Sequence, residues 1–145
     1  TLGMEERVRF LGYVDKHTLS ALYSAALAVV VPSLYEGFGL PVLEAMACGA
    51  PVLCAQAEAL REAAGDAALY VDARNVHELA RGMNRILSDS WLRDDLRTRG
   101  LARASKCRWE ETARQMLQVM RTAVEVGPVT RTPQAAGSAG EWLQK

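Results

Sequence analysis

Two short apolar runs constrain the fold of this chain more than any other feature of its sequence. The run LAVVVPS covers residues 27–33 and APVLCA covers residues 50–55, and neither alternates polar with apolar positions. Continuous β-branched runs of this length are typical of strands that are buried on both faces, as in parallel sheets. We therefore predict a parallel β-sheet that is covered by helices.

Helical patterns alternate with the strand patterns along the chain. Asp15 is suited to cap a helix over 18–26, and Pro41 and Gly49 suit the first position and the C-terminal end of a helix over 40–49. The predicted fold class is α/β, a Rossmann-like, doubly wound parallel sheet flanked by helices. The other predicted elements are strands at 7–14 and 67–72, a short helix or turn at 58–65, and helices at 76–89 (capped by Asn75), 90–105 and 109–126.

The same patterns predict how the chain divides into domains. Residues 1–126 are predicted to form one partial Rossmann-like domain, and residues 127–145, rich in Gly, Pro, Ser and Thr, a disordered tail. About four strands are few for a doubly wound sheet. Because the sequence also begins at Thr1 rather than methionine, we expect it to be a piece of a longer chain that lacks the front half of this domain.

Charge and the metal-binding residue types exclude some classes of function. The 17 basic and 17 acidic residues balance, whereas a general nucleic-acid binder needs a net basic surface. The two histidines have no partner at ligand spacing, so no metal site is predicted. The three cysteines form no CxxC pair. Cys48 and Cys54 are predicted to be buried free thiols, which fits a reducing compartment such as the cytoplasm.

The stretch YEGFGLPVLE, residues 35–44, is the strongest candidate for a functional site. It follows the predicted strand at 27–33, and ligands of open α/β sheets bind at the carboxyl ends of such strands. The amides of Gly39, Leu40 and Val42 lie where a helix N-terminus would favour an anion such as phosphate. The stretch therefore predicts a site for a phosphate-bearing ligand.

The two carboxylates and two glycines of this stretch have more than one interpretation. Gly37 and Gly39 allow a ligand to approach the backbone closely. Glu44, predicted in the first helical turn, can accept hydrogen bonds from vicinal ribose hydroxyls, and Glu36 can do the same for a sugar hydroxyl or balance positive charge in a transition state. Alternatively, Glu44 only complements the helix dipole, Glu36 is a solvated loop residue, and the glycines are ordinary turn residues.

At these residues the chain resembles a known enzyme family. The segment VPSLYEGFGLPVLEAMACGAPVL, residues 31–53, is similar to the signature region of retaining GT-B glycosyltransferases of family 4, which includes bacterial mannosyl-, glucosyl- and rhamnosyltransferases. The E-x7-E spacing from Glu36 to Glu44 and the flanking pattern G-F-G-L-P-x-x-E-A-M-A-x-G-x-P-V carry this resemblance. It extends over residues 7–122.

The resemblance implies that the chain is the C-terminal, nucleotide-sugar-binding part of such an enzyme. The enzyme would transfer a hexose such as mannose, glucose or rhamnose from a nucleoside-diphosphate sugar to a glycan or lipid-linked acceptor, with retention of configuration. Glu36 would be the catalytic residue near the reacting carbon, and Glu44 would hold the ribose hydroxyls. The other implied donor-binding residues are Gly37, Phe38, Gly39 and Leu40.

The resemblance also implies the cofactors and partners. No cofactor and no metal are expected, and the partners would be the sugar-nucleotide donor, the acceptor and an N-terminal domain of the same enzyme. In the family, the diphosphate-binding Arg and Lys lie upstream of this segment, so the chain alone is expected to be inactive. The expected location is the cytoplasm. The locally basic segment 93–108 leaves open either a solvated face or peripheral contact with an anionic membrane.

One segment departs from the family pattern and leaves alternatives open. After residues 50–55 the family has a small-residue loop that ends in Glu; Glu62 can occupy that position, but Glu58 and Arg61 are unusual. Tyr35 can stack on a base or pack beside its loop. A non-catalytic interaction or regulatory module with the same fold is the alternative function. A nucleotide-sugar epimerase shares the GT-B fold but lacks the flanking pattern.

Overall fold

The computed structural model describes residues 3–126, whose contacts group into two units, one up to Arg108 and one from Trp109. The predicted tail at 127–145 lies outside the described residues, and the predicted domain bounds of 1–126 stay a prediction. The first unit contains helices α1 (Lys16–Ala25), α2 (Leu40–Ala47), α3 (Glu58–Ala64), α4 (Val76–Ser88) and α5 (Ser90–Ala104) and strands β1 (Val29–Val31), β2 (Val52–Ala55) and β3 (Ala68–Val71); the second contains helix α6 (Trp109–Val126).

The strands form a parallel sheet in the order β1-β2-β3 within the described residues. Val52 of the central strand is in register with Val29 on one side and with Ala68 on the other. All four residues of β2 are buried, as its continuous apolar sequence predicted. Helices connect the consecutive parallel strands, so the predicted α/β class with a Rossmann-like sheet is confirmed.

Two apolar clusters cover the two faces of the sheet, because successive side chains of a strand point to opposite sides. Val52 and Cys54 belong to the cluster that includes Met46 of α2 and Leu60 of α3. Leu53 belongs to the other cluster, which is closed by α4 and α5. Its members are Leu53, Val71, Ile86, Leu92 and Leu96. The sheet is therefore sandwiched between helices, with its carboxyl-terminal edge left for the connecting loops.

The predicted N-terminal caps form as expected. Asp15 Oδ1 accepts hydrogen bonds from the amides of His17 and Thr18, at 2.9 and 3.0 Å. Asn75 accepts in the same way at the start of α4, from His77 and Glu78. These bonds satisfy amides that have no partner within the first turn of a helix, so short polar side chains fix where α1 and α4 begin.

The strand predicted at 7–14 is wrong. The amides of Arg7 and Val8 both donate to the carbonyl of Met4, which makes this region a turn, and no strand follows before α1. Phe10 and Tyr13 are 94 and 96% exposed. A strand forms when its backbone groups pair with a neighbouring strand, and no described strand lies beside this segment. An alternating, β-rich sequence is therefore not sufficient here.

Candidate functional site

The candidate stretch forms the connection from β1 to α2. β1 ends at Val31 and α2 begins at Leu40, so Glu36 lies in the loop between them at the carboxyl end of the strand. Glu44 is the fifth residue of α2 and is exposed. The prediction that Glu44 lies in the first helical turn is therefore wrong. Because the dipole effect falls off within the first turn, this position weakens the interpretation that Glu44 only complements the dipole.

Four consecutive amides of the loop are left unpaired. Within the described residues, no backbone hydrogen bond is donated by residues 37–40, which include all the predicted backbone donor-binding groups. Val42, which was also a candidate, instead donates to the carbonyl of Gly39 at 3.1 Å, and Pro41 has no N–H. Unpaired amides in sequence at a helix N-terminus suit an anion, so residues 37–40 can bind the oxygens of a phosphate.

Gly37 and Gly39 have different surroundings. Gly39 is buried with a φ of 84°, and a Cβ there would lie 3.0 Å from Leu60 Cδ2 and 3.2 Å from Ala63 Cβ. The fold itself thus requires a glycine at this position, because α3 packs directly against it. Gly37 has an ordinary backbone conformation, and a Cβ there would meet no atom within 4 Å. The fold does not require a glycine at position 37, so the ligand interpretation and that of an ordinary turn residue both stay predictions.

Two clefts lie at the carboxyl ends of the strands, where open α/β sheets bind ligands. A cleft of about 300 Å³ lies between the β1–α2 loop and the start of α3, and half-buried Glu36 forms part of its wall. The residues that line this first cleft are Leu34, Tyr35, Glu36, Ala57, Glu58, Ala59 and Glu62. A second cleft, of about 270 Å³, shares Leu34 and Ala57 with it and extends to Asp72 and Arg74 beyond β3.

The first cleft contains one of the two residues at which the sequence departs from the family pattern, Glu58, but not the other, Arg61. Glu58 and Glu62 both line it, opposite Tyr35. Tyr35 is 90% exposed, which argues against packing beside the loop and leaves its ring available to a ligand. Arg61 lies elsewhere: its guanidinium is 4.8 Å from the ring centre of Tyr70, and it donates to Gln56.

Glu44 lies outside both clefts and beside α1. Burial is the main cause that raises the pKa of Tyr23 in α1, and the nearby charges of Glu44 and then Cys48 raise this pKa further. Sequence reasoning missed Tyr23, because it read residues 18–26 only as an amphipathic helix. The structure therefore brings Glu36 together with Tyr35, Glu58 and Glu62, and Glu44 together with a tyrosine that is distant in sequence.

The described residues were compared with what a metal site and a membrane-spanning helix require. Among them, no group of three or more His, Cys, Asp or Glu side chains is arranged to hold a metal ion. The expectation that the protein uses no metal stays a prediction. None of the helices in the described range combines the length and apolar character that crossing a membrane requires.

Known proteins resemble the chain in both sequence and structure. It is 44% identical over 110 residues to O-antigen chain mannosyltransferase B of Escherichia coli, covering 76% of this chain and 29% of that protein. Its structure is similar to sucrose-phosphate synthase from Thermosynechococcus elongatus, with a TM-score of 0.77 and 37% identity, covering 84% of this chain and 31% of that one. It is also similar to the structure of Anabaena HepE in complex with UDP and glucose, with a TM-score of 0.73 and 29% identity. This match covers 83% of this chain and 33% of that one.

These matches agree on a family and extend over most of the chain. The chain spans about a third of the length of each of these three relatives. The family model described as glycosyl transferases group 1 matches residues 1–103, which include both clefts and the whole β1–α2 loop. The chain therefore belongs to the glycosyl transferases group 1 family.

Proposed function

We propose that this chain is the donor-binding part of a retaining GT-B glycosyltransferase of family 4. The full-length protein would transfer a hexose such as mannose, glucose or rhamnose from a nucleoside-diphosphate sugar to a glycan or lipid-linked acceptor. The observation that carries the proposal is the run of unpaired amides at 37–40 beside Glu36, at the carboxyl end of a parallel strand. Phosphate oxygens and sugar hydroxyls are the ligand groups that such an arrangement binds best.

Each residue of the loop has a role in this proposal. The backbone groups of Gly37, Phe38, Gly39 and Leu40 bind the diphosphate and the hydroxyls of the transferred sugar. They stabilise the charge that develops on the leaving diphosphate, and no metal is required for this step. Glu36 faces the sugar near its reacting carbon and stabilises positive charge there. Glu44 accepts hydrogen bonds from the ribose hydroxyls.

The ligands and names of two relatives support a sugar nucleotide as the donor. HepE is described in complex with UDP and glucose, and the E. coli relative is named as a mannosyltransferase. We infer that the partners are this donor, the acceptor and an N-terminal domain that carries the acceptor site. The proposed location is cytoplasmic, with peripheral contact at the inner face of the membrane where the acceptor is lipid-linked. The chain alone would then be inactive.

Nucleotide binding by the full-length protein tests the donor site. GDP, UDP and ADP are titrated by calorimetry into the wild type and into Glu44→Ala, with Glu125→Ala on α6 as the matched control. We expect one nucleotide to bind and its Kd to rise at least about tenfold in Glu44→Ala, with Glu125→Ala unchanged. A folded wild type that binds none of them would overturn the proposal and favour the interaction module.

Turnover and stereochemistry test the catalytic assignment. With the donor identified, we expect Glu36→Gln to lower kcat by more than about 100-fold while the Kd of the nucleotide changes little, because the carboxylate acts on the transition state. The anomeric configuration of the product, read by NMR, should match that of the donor. An inverted product would rule out the retaining mechanism.

A further inference from the structure

The first cleft concentrates negative charge beside the loop of the proposed donor site. Three carboxylates line it, Glu36 from the β1–α2 loop and Glu58 and Glu62 from α3. The other lining residues are a leucine, a tyrosine and two alanines. Within the part of the chain that the structure describes, no basic side chain lines this cleft, so a bound group meets a negative potential there.

Packing fixes the direction of the two glutamates of α3. Glu58 and Glu62 are four positions apart in sequence, which places them on one face of the helix. The opposite face packs against the end of the loop, since a Cβ at Gly39 would lie 3.0 Å from Leu60 Cδ2 and 3.2 Å from Ala63 Cβ. This contact holds α3 against the loop and keeps its acidic face at the cleft.

The arginines closest to these glutamates are engaged elsewhere. Arg61 donates to the side chain of Gln56 at 3.1 Å, and its guanidinium lies 4.8 Å from the ring centre of Tyr70. Arg103 donates to the backbone carbonyl of Glu62. Among the described residues, no ion pair joins either arginine to a carboxylate of the cleft, so neither one offsets its charge directly.

A ligand that occupies both the cleft and the loop amides needs two parts of different charge. The unpaired amides at 37–40 suit an anion, and Glu36 separates them from the cleft in sequence. The carboxylates of the cleft repel an anion but accept hydrogen bonds from hydroxyls. The 90% exposed ring of Tyr35 adds an apolar surface on the same wall, which suits the C–H face of a sugar.

We propose that Glu58 and Glu62 are specificity-determining residues of the donor site, which together with Glu36 accept an uncharged hexose and reject a hexuronate. This inference rests on the proposed function and names the class of sugar that the donor carries. Rejection follows from placing unpaired like charge opposite the wrong substrate. Because Glu58 departs from the family pattern, the selectivity belongs to this chain and not to the family as a whole.

The test compares two donors in the full-length protein. They carry the nucleotide that the wild type binds and differ only at C6 of the hexose, such as UDP-glucose and UDP-glucuronate. Calorimetry gives the ratio of their Kd values. We expect the wild type to bind the hexuronate at least about tenfold more weakly, with a smaller ratio at high salt because salt screens the charges.

Glutamine variants show which residues set this ratio. We expect Glu58→Gln and Glu62→Gln each to lower it at least about threefold and the double variant to lower it further. Glu125→Gln on α6, which removes the same charge far along the chain, is the matched control and should keep the wild-type ratio. Partial unfolding would raise both Kd values equally, so it would leave the ratio unchanged.

The outcomes separate this inference from the proposed function. A wild type that binds the hexuronate as tightly as the hexose, or a ratio that stays unchanged in the double variant, would overturn the inference while leaving the donor site intact. If the wild type binds neither a nucleotide nor a nucleotide sugar, both the inference and the proposed function are wrong.

Discussion

Glu36 and Glu44 are eight positions apart in sequence but belong to different environments. Glu36 is half-buried in the wall of a cleft at the strand ends, whereas Glu44 is exposed on the second turn of α2. A carboxylate at a cleft wall can act on a bound sugar, and one on the helix surface can reach only the periphery of the ligand. The separate roles proposed for Glu36 at the sugar and for Glu44 at the ribose stay predictions.

Cys54 shows how burial controls the chemistry of a single residue. It lies on the central strand with no exposed surface, as the sequence predicted, whereas Cys48 is only half-buried. Burial raises the pKa of the Cys54 thiol from an ordinary value of 9.0 to about 12. The positive charge of Arg61 opposes this rise, but its effect is smaller than that of burial. The thiol is therefore kept neutral and inert in the folded chain.

This pKa predicts a loss of stability at alkaline pH. Above about pH 9 the unfolded chain releases the Cys54 proton while the folded chain keeps it until about pH 12. The free energy of unfolding should therefore be unaffected by Cys54 below pH 9 and should fall above it, by at most about 1.4 kcal/mol per pH unit. Urea unfolding at pH 8, 9 and 10 measures this slope.

Two cysteine variants identify the group responsible. We expect a shallower slope between pH 9 and 10 in Cys54→Ala, whereas Cys107→Ala, which removes an exposed thiol, should keep the wild-type slope. Tyr70, whose pKa burial also raises to about 12, contributes mainly above its ordinary value of 10.0. An unchanged slope in Cys54→Ala would show that this thiol does not cause the loss of stability between pH 9 and 10.

At the scale of elements, the loop that leads into α2 contains one glycine that the fold requires, Gly39, and one that it does not, Gly37. Gly39→Ala should lower the free energy of unfolding by about 1–3 kcal/mol, because alanine is strained at positive φ and its Cβ would crowd Leu60 and Ala63. Gly37→Ala should change it by less than about 0.5 kcal/mol, because its Cβ would meet open space. Urea titration measures both.

The same two variants separate folding from binding. If the loop amides contact a nucleotide, a methyl group at residue 37 should weaken binding several-fold in a fully stable protein. Wild-type nucleotide affinity in Gly37→Ala would place the ligand away from this part of the loop. In Gly39→Ala, a loss of binding larger than the fraction of unfolded protein would show that the strained alanine also displaces the loop amides.

Arginines of α5 stabilise the ends of neighbouring helices. Arg93 donates to the carbonyls of Ile86 and Leu87 at the end of α4, at 3.0 and 2.7 Å. Arg103 donates to the carbonyl of Ala63 in α3 at 2.8 Å, and Arg99 pairs with Asp95. Because helix C-termini carry unpaired carbonyls and partial negative charge, these bonds explain part of the basic segment 93–108 by internal capping.

Local signals predicted most element boundaries. Asp15 and Asn75 were identified as caps because a short polar side chain needs only the next three residues to make its bonds. Gly49 ends α2 as predicted: its amide donates to Met46, and the amide of Ala50 donates to Ala45. The sequence of a single turn contains all the information that these positions require.

Long-range contacts account for what the sequence did not predict. The segment 7–14 has the composition of a strand but no described partner, and the bond from Arg103 to Ala63 joins residues 40 positions apart. Tyr23 lies near Glu44 only because α1 and α2 pack together. The fold class and the loop with Glu36 were therefore predictable, whereas the tyrosine beside Glu44 and the acidic wall of the first cleft required coordinates.

At the scale of the whole molecule, the sheet has an exposed edge. β1 pairs with β2 on one side, and within the described residues no strand pairs with its other side. Apolar side chains are exposed before and beside this edge, including Phe10, Tyr13 and Leu27. Unpaired backbone groups next to apolar surface attract another strand, so we expect the chain to self-associate at micromolar concentration.

A charge on the edge strand tests this expectation. Val30 is the central residue of β1 and is 36% exposed, so Val30→Lys should keep the core and repel a second edge. Light scattering after size-exclusion chromatography should show oligomers of the wild type and a monomer of the variant. Leu87→Lys, which adds the same charge to an exposed position of α4, is the control and should associate like the wild type. A monomeric wild type would show that the edge is already protected, and equal suppression by both variants would indicate that net charge rather than the edge controls association.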